Sequence, residues 1–89
     1  MDRNRKSKTI FDERYERLIA DLIVARKKKG LTQLAFSEKS GFDTCFVGRV
    51  ETRERRLDVL ELVDWLRALG FSNKRILTLI KETIVDIID

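Results

Sequence analysis

Apolar residues recur at spacings of three and four from Phe11 to Ala25, where Phe11, Tyr15, Leu18, Ile19, Leu22 and Ile23 trace one stripe of a helix. Arg26, Lys27, Lys28 and Lys29 close that stripe and Gly30 stops it. Cations suit the negative end of a helix dipole, and glycine accepts the left-handed conformation of a cap. Thr32 is then placed to cap a short helix from Gln33 to Lys39, Gly41 marks a turn, and Asp43 is placed to cap a third helix. A fourth helix is predicted from Asp58 to Leu69, with Val59, Leu62, Val63, Leu66 and Leu69 inward and Trp65 beside them, stopped by Gly70. Ser72 caps a fifth, striped by Ile76, Leu77, Ile80, Ile84, Ile87 and Ile88. No proline, repeat or low-complexity linker interrupts the pattern. The expectation is a compact all-α bundle of five helices: a basic arm over residues 1–8, a helical domain over 9–70, and a C-terminal amphipathic helix over 71–89.

Composition narrows the function. The chain has 89 residues, 43% hydrophobic and 38% charged, which is the range of globular domains. A domain of this size buries only about 60–65% of its unfolded surface, which favours self-association. No apolar run approaches the roughly 20 residues of a membrane span. The start, MDRNRKSK, is charged and lacks the apolar stretch of an export signal, so a cytoplasmic location is expected and no membrane role. The single cysteine, Cys45, and the absence of histidine leave no clustered metal ligands and no Ser/His or Cys/His nucleophile pair. There is no glycine-rich phosphate loop. Neither an enzyme nor a metal or cofactor is therefore expected, and binding remains. The formal charge of +4 and pI near 9.5 favour a polyanion as partner.

The stretch LTQLAFSEKSGFDTCFVGRVE, residues 31–51, resembles the helix-turn-helix of the Cro and lambda-repressor-like family, the Xre-type regulators. Gln33 matches the first position of the motif, Phe36 an early core position, Ser37 the small-residue contact, Gly41 the turn, and Phe42, Val47 and Val50 later core positions. The resemblance extends over roughly residues 9–70. It implies a lambda-repressor-like bundle whose second and third helices form the motif, the third lying in the major groove of double-stranded DNA. It further implies a transcriptional repressor of phage, prophage or restriction-controller type, encoded by a bacterium or phage, that binds a two-fold operator as a homodimer. A second reading, from a different class, is an antitoxin or protein-interaction module that docks a partner protein through the C-terminal helix.

On a helical wheel with Val47 and Val50 facing the core, Cys45, Gly48, Arg49 and Thr52 point the other way and Thr44 sits at the N-terminal edge. Thr44, Cys45, Gly48 and Arg49 are the expected base-reading set. Short side chains allow close approach, and Arg49 can bond bidentately to guanine. The resemblance and the local charge assign Gln33, Arg53, Arg55 and Arg56 to the phosphate backbone, where contacts set affinity and register. It also implies a structural ion pair between Arg26 and Glu51, joining the first helix to the end of the third. Arg53 stands where the family commonly ends that helix with glycine, so the helix is expected to run on or end differently. Phe46 either touches a thymine methyl or packs inward. Cys45 is a redox sensor or a small indifferent residue. The arm with Arg3, Arg5, Lys6 and Lys8 follows the minor groove or is a solvated tail. Ile76, Ile80, Ile84, Ile87 and Ile88 form a stripe wider than a small bundle needs, which assigns them to a dimer interface; the competing arrangement folds the stripe back onto Trp65 and the first helix.

Overall fold

A computed structural model describes residues 12–86, and every regular element among them is a helix. The helices are α1 (Glu13–Lys28), α2 (Gln33–Ser40), α3 (Thr44–Glu51), α4 (Val59–Ala68) and α5 (Asn73–Ile80), the last continuing into a π-helical stretch, Lys81–Val85. The basic arm with its Arg3, Arg5, Lys6 and Lys8, together with Phe11, Ile87 and Ile88, lies outside the described residues.

Each helix begins where a short polar side chain satisfies an amide that has no partner within the helix. Thr32 accepts from the Ala35 amide, Asp43 from Cys45, and Ser72 from Arg75. At α4 the arrangement is reciprocal: Asp58 accepts from the Glu61 amide at 2.8 Å, and the Glu61 carboxylate accepts from the Asp58 amide at 3.0 Å. α1 starts at Asp12, whose carboxylate takes the Arg14 amide and two guanidinium bonds. The Arg14 side chain holds the Asp12 carboxyl down at about 2.

The core gathers on the aromatic residues of α2–α4. Phe36, Val47, Val50, Trp65, Leu66 and Leu69 are fully buried, and the Trp65 ring packs against Phe36 at 4.9 Å and Phe42 at 5.3 Å. Leu18, Ile19 and Leu22 close it from α1. The Tyr15 hydroxyl accepts a hydrogen bond from the Leu57 amide at 3.1 Å, tying α1 to the chain between α3 and α4; burial pushes this phenol's pKa up.

Two apolar assignments change. Val59, expected inward, is 74% exposed and its neighbour Leu60 is 75% exposed. Val59 is the first residue of α4, and periodicity reports which face a residue is on, not how far along that face a neighbouring helix reaches. On the C-terminal helix, Ile76, expected in a dimer interface, is buried within the single chain, and Ile80 and Ile84 are partly buried against the same core. The stretch Lys81–Val85 packs on α1, so this side of the stripe is used by the chain's own first helix. Among the described residues, Leu77 and Val85 are the large apolar side chains of this segment that face outward. Thr83, which the apolar pattern passes over, is buried because its hydroxyl donates to the Leu79 carbonyl at 2.7 Å and leaves only methyl surface to pack.

Candidate functional site

The connection between α2 and α3 is three residues long and closes through a left-handed residue. Gly41, with φ of 86°, ends α2 and donates its amide to the Ser37 carbonyl at 2.9 Å. The buried Ser37 hydroxyl donates to the Phe42 carbonyl at 2.6 Å and accepts from the Thr44 hydroxyl at 3.0 Å. Three short polar groups therefore lock the turn from inside, and a larger residue at Ser37 would force the two helices apart. The cost to the expected base-reading set is Thr44: its hydroxyl points back into the turn and it is only half-exposed.

The rest of that set lies on the outer side of α3. Cys45 and Arg49 are exposed, one helical turn apart. Among the described residues no hydrogen bond or ion pair holds the Arg49 guanidinium, while its carbonyl closes the helix end. Gly48 is half-buried because Gln33 passes over it: a Cβ built there would meet the Gln33 Oε1 at 3.6 Å, an ordinary contact.

Gln33 is itself held. Its amide nitrogen donates to Glu51 Oε1 at 2.9 Å. Arg26 reaches the same carboxylate in a forked pair, Nε to Oε2 at 2.7 Å and Nη2 to Oε1 at 3.0 Å, and sends Nη1 to the Leu31 carbonyl at 2.6 Å. The two charged side chains are 8% and 6% exposed. One buried carboxylate thus fastens the last turn of α3 to α1 and to the first residue of α2, and Arg26 extends the network to the α1–α2 link. Taking two charges out of water is costly, and the fork with its extra bonds is the geometry that offsets it.

At its C-terminal end α3 stops without a glycine. Thr52 is the cap, and Arg53 takes the left-handed conformation with φ of 64°. The Arg53 amide bonds the Val50 carbonyl and the Glu54 amide bonds the Arg49 carbonyl, the paired pattern that usually has glycine at its left-handed position. Arg53, expected at phosphate, instead lies 2.7 Å from Glu16 Oε2 on α1. Its alkyl stem and head are drawn to that helix because the left-handed backbone turns the side chain away from the outer face of α3. Arg55 stacks on the Phe46 ring at 4.9 Å and lies 3.5 Å from Glu61 Oε2, so both remain near the surface with the guanidinium half-exposed. Arg56 is exposed, and its charge acts on the Tyr15 phenol.

Phe46 packs inward, its ring 5.2 Å from Phe42 and 6.3 Å from Trp65, and serves as the platform for Arg55. Glu16 and the Thr44–Ser37 pair are functional neighbours that periodicity does not reveal. Glu16 meets Arg53 only through the packing of α1 against the end of α3, for which the sequence carries no local signal.

Chemically, the site offers one unpaired arginine beside small residues on a short, rigidly clamped helix, with further cations following it. Among the described residues no group of His, Cys, Asp and Glu could hold a metal ion, and no helix is long and apolar enough to cross a membrane. Comparison with known proteins brings no match to a family model, to a curated protein or to a solved structure.

Proposed function

We propose that the chain is a sequence-specific DNA-binding regulator, a repressor of the phage, prophage or restriction-controller kind, in which α2 and α3 act as a helix-turn-helix and α3 enters the major groove. The observation that carries this reading is the contrast on α3: its last turn is clamped by the Arg26–Glu51–Gln33 network, while its outer face of Cys45, Gly48 and Arg49 makes no polar side-chain contact among the described residues. A pre-positioned helix with an uncommitted arginine is suited to bidentate recognition of guanine.

In this reading Arg49 is the base reader, and Cys45 and Gly48 permit close approach. Gln33 spends one amide N–H on Glu51 and directs the other at a phosphate. Arg55, braced by Phe46, and Arg56 supply further backbone contacts. Thr44 and Arg53 are taken up by partners inside the chain, Ser37 and Glu16. Each neutralised phosphate adds about 0.9 to the salt slope of binding. A homodimer on a pseudo-palindromic site, with the two copies of α3 about 34 Å apart, belongs to the same reading. On the C-terminal helix, Leu77 and Val85 are, among the described residues, the large exposed apolar side chains left for the second copy.

The experiment is selection of bound sequences from random duplex DNA, followed by binding measured across a salt series. Enrichment of a guanine-containing, two-fold site with a steep salt slope is expected. Recovery of no sequence above background at low salt would end the proposal.

A further inference from the structure

α1 and the C-terminal helix leave an open trough of about 570 Å³ between them, within the range of small-molecule sites. Its floor is apolar: Val24, half of it exposed, with Ala25, Phe71 and Leu79. Charge is distributed unevenly around the rim. Lys28 and Lys29 come from the last turn of α1 and its cap, Lys74 and Arg75 from the first turn of α5, so four cations converge where the two helices meet. Lys29 marks that junction, because a Cβ added to Gly70 would meet its Nζ at 2.8 Å. The chain then returns along α1, and the acids of the rim, Asp21 and Glu82, stand two turns further along their helices, about 10 Å away at ~1.5 Å per residue.

The cations are not there to pair with one another's neighbours. Among the described residues, Lys28, Lys29 and Lys74 make no hydrogen bond or ion pair. Arg75 is oriented by stacking on the Phe71 ring at 4.0 Å, which leaves the edge of its guanidinium for a forked contact with an anion. Like charges brought together on an apolar floor repel unless a counter-charge joins them. A bare inorganic anion would satisfy the head but leave the floor wet, and an extended polyanion would meet Asp21 and Glu82.

We infer that the trough is a binding site for a small organic monoanion with an apolar body, of medium-chain carboxylate size, its head among Lys28, Lys29, Lys74 and Arg75 and its body along Val24, Ala25, Phe71 and Leu79. This site is separate from the outer face of α3.

The test is titration of the full chain with octanoate, followed by amide NMR shifts and calorimetry, with acetate as the head alone and octanol as the body alone. Octanoate should bind about tenfold or more tighter than either probe, with the largest shifts at Val24, Ala25, Lys28, Phe71 and Leu79. Lys74→Gln with Arg75→Gln should weaken octanoate about tenfold and leave octanol unchanged. Val24→Asp should abolish octanoate binding, and because all three positions are exposed each variant should keep the helical circular-dichroism spectrum of the parent. Octanoate binding no tighter than acetate or octanol, shifts centred elsewhere, or undiminished affinity in the charge variant would each overturn the assignment. None of these readouts involves DNA, so the outcome is independent of the proposed regulatory function.

Discussion

The two ends of the helical pair α2–α3 adopt the same left-handed backbone with different chemistry. Gly41 reaches φ of 86° after α2, and Arg53 reaches φ of 64° after α3. Glycine enters that region without steric cost, whereas an L side chain pays roughly 1–2 kcal/mol. Gly41 therefore needs only its bond to the Ser37 carbonyl, while Arg53 sits within two paired backbone bonds and an ion pair to Glu16. Where the residue suits the conformation, local chemistry is enough to make the turn. Where it does not, the paired backbone bonds at the helix's own end close the turn, and the side chain is taken up by an ion pair to another helix.

The largest expected effect tests how the C-terminal end of α3 is held. Arg26→Ala strands the buried Glu51 carboxylate and should cost about 3–5 kcal/mol in urea unfolding. A loss below about 1 kcal/mol would mean that the network does not anchor this end. On DNA, Arg49→Ala should cost about 1–3 kcal/mol on the selected site and little on random sequence, whereas Arg55→Ala should weaken both alike and lower the salt slope by about one unit. Equal losses for both variants on both kinds of DNA would erase the distinction between reader and clamp.

The comparison itself is tested by mirrored substitutions. Gly41→Ala meets no atom within 4 Å, so its cost is conformational alone, about 1–2 kcal/mol. Arg53→Gly should relieve a similar strain and lose an exposed ion pair worth about 0.2–1 kcal/mol, a net gain of about 0–2 kcal/mol. If thermal unfolding moved the same way for both, the left-handed cost would not be what separates the two ends. Between them lies Gly48, where a Cβ finds ordinary contact with Gln33; Gly48→Ala should stabilise by about 0.5–1 kcal/mol through helix propensity. A destabilised variant would show that Gln33 cannot yield.

The smallest effect lies at the start of α1. The Asp12 carboxyl is lowered from 3.8 to about 2 by Arg14, so its contribution is complete above pH 4 and is lost as pH falls from 4 toward 2. It is modest because the pair is a third exposed to water. Asp12→Asn should flatten the unfolding profile slightly in that window and leave it unchanged near pH 7.

The helices and their caps were legible in the residues themselves. Thr32, Asp43 and Ser72 cap where the pattern of short polar residues before apolar runs places them, because a cap bonds an amide two or three residues ahead and needs nothing else; Asp58, expected as the first residue of its helix, caps it instead. The same locality made the stops at Gly30, Gly41 and Gly70 readable. What only the tertiary structure decided depends on where another helix passes. Thr44 turns inward because Ser37 is 3.0 Å away, Arg53 leaves the outer face because Glu16 waits on α1, and Val59, on the first turn of α4, stays exposed to water. Ile76 and Leu77, adjacent and both strongly apolar, end on opposite sides of that decision, one buried and one 69% exposed. A helical period specifies the direction in which a side chain points, and only the packing of the whole chain supplies what it points at.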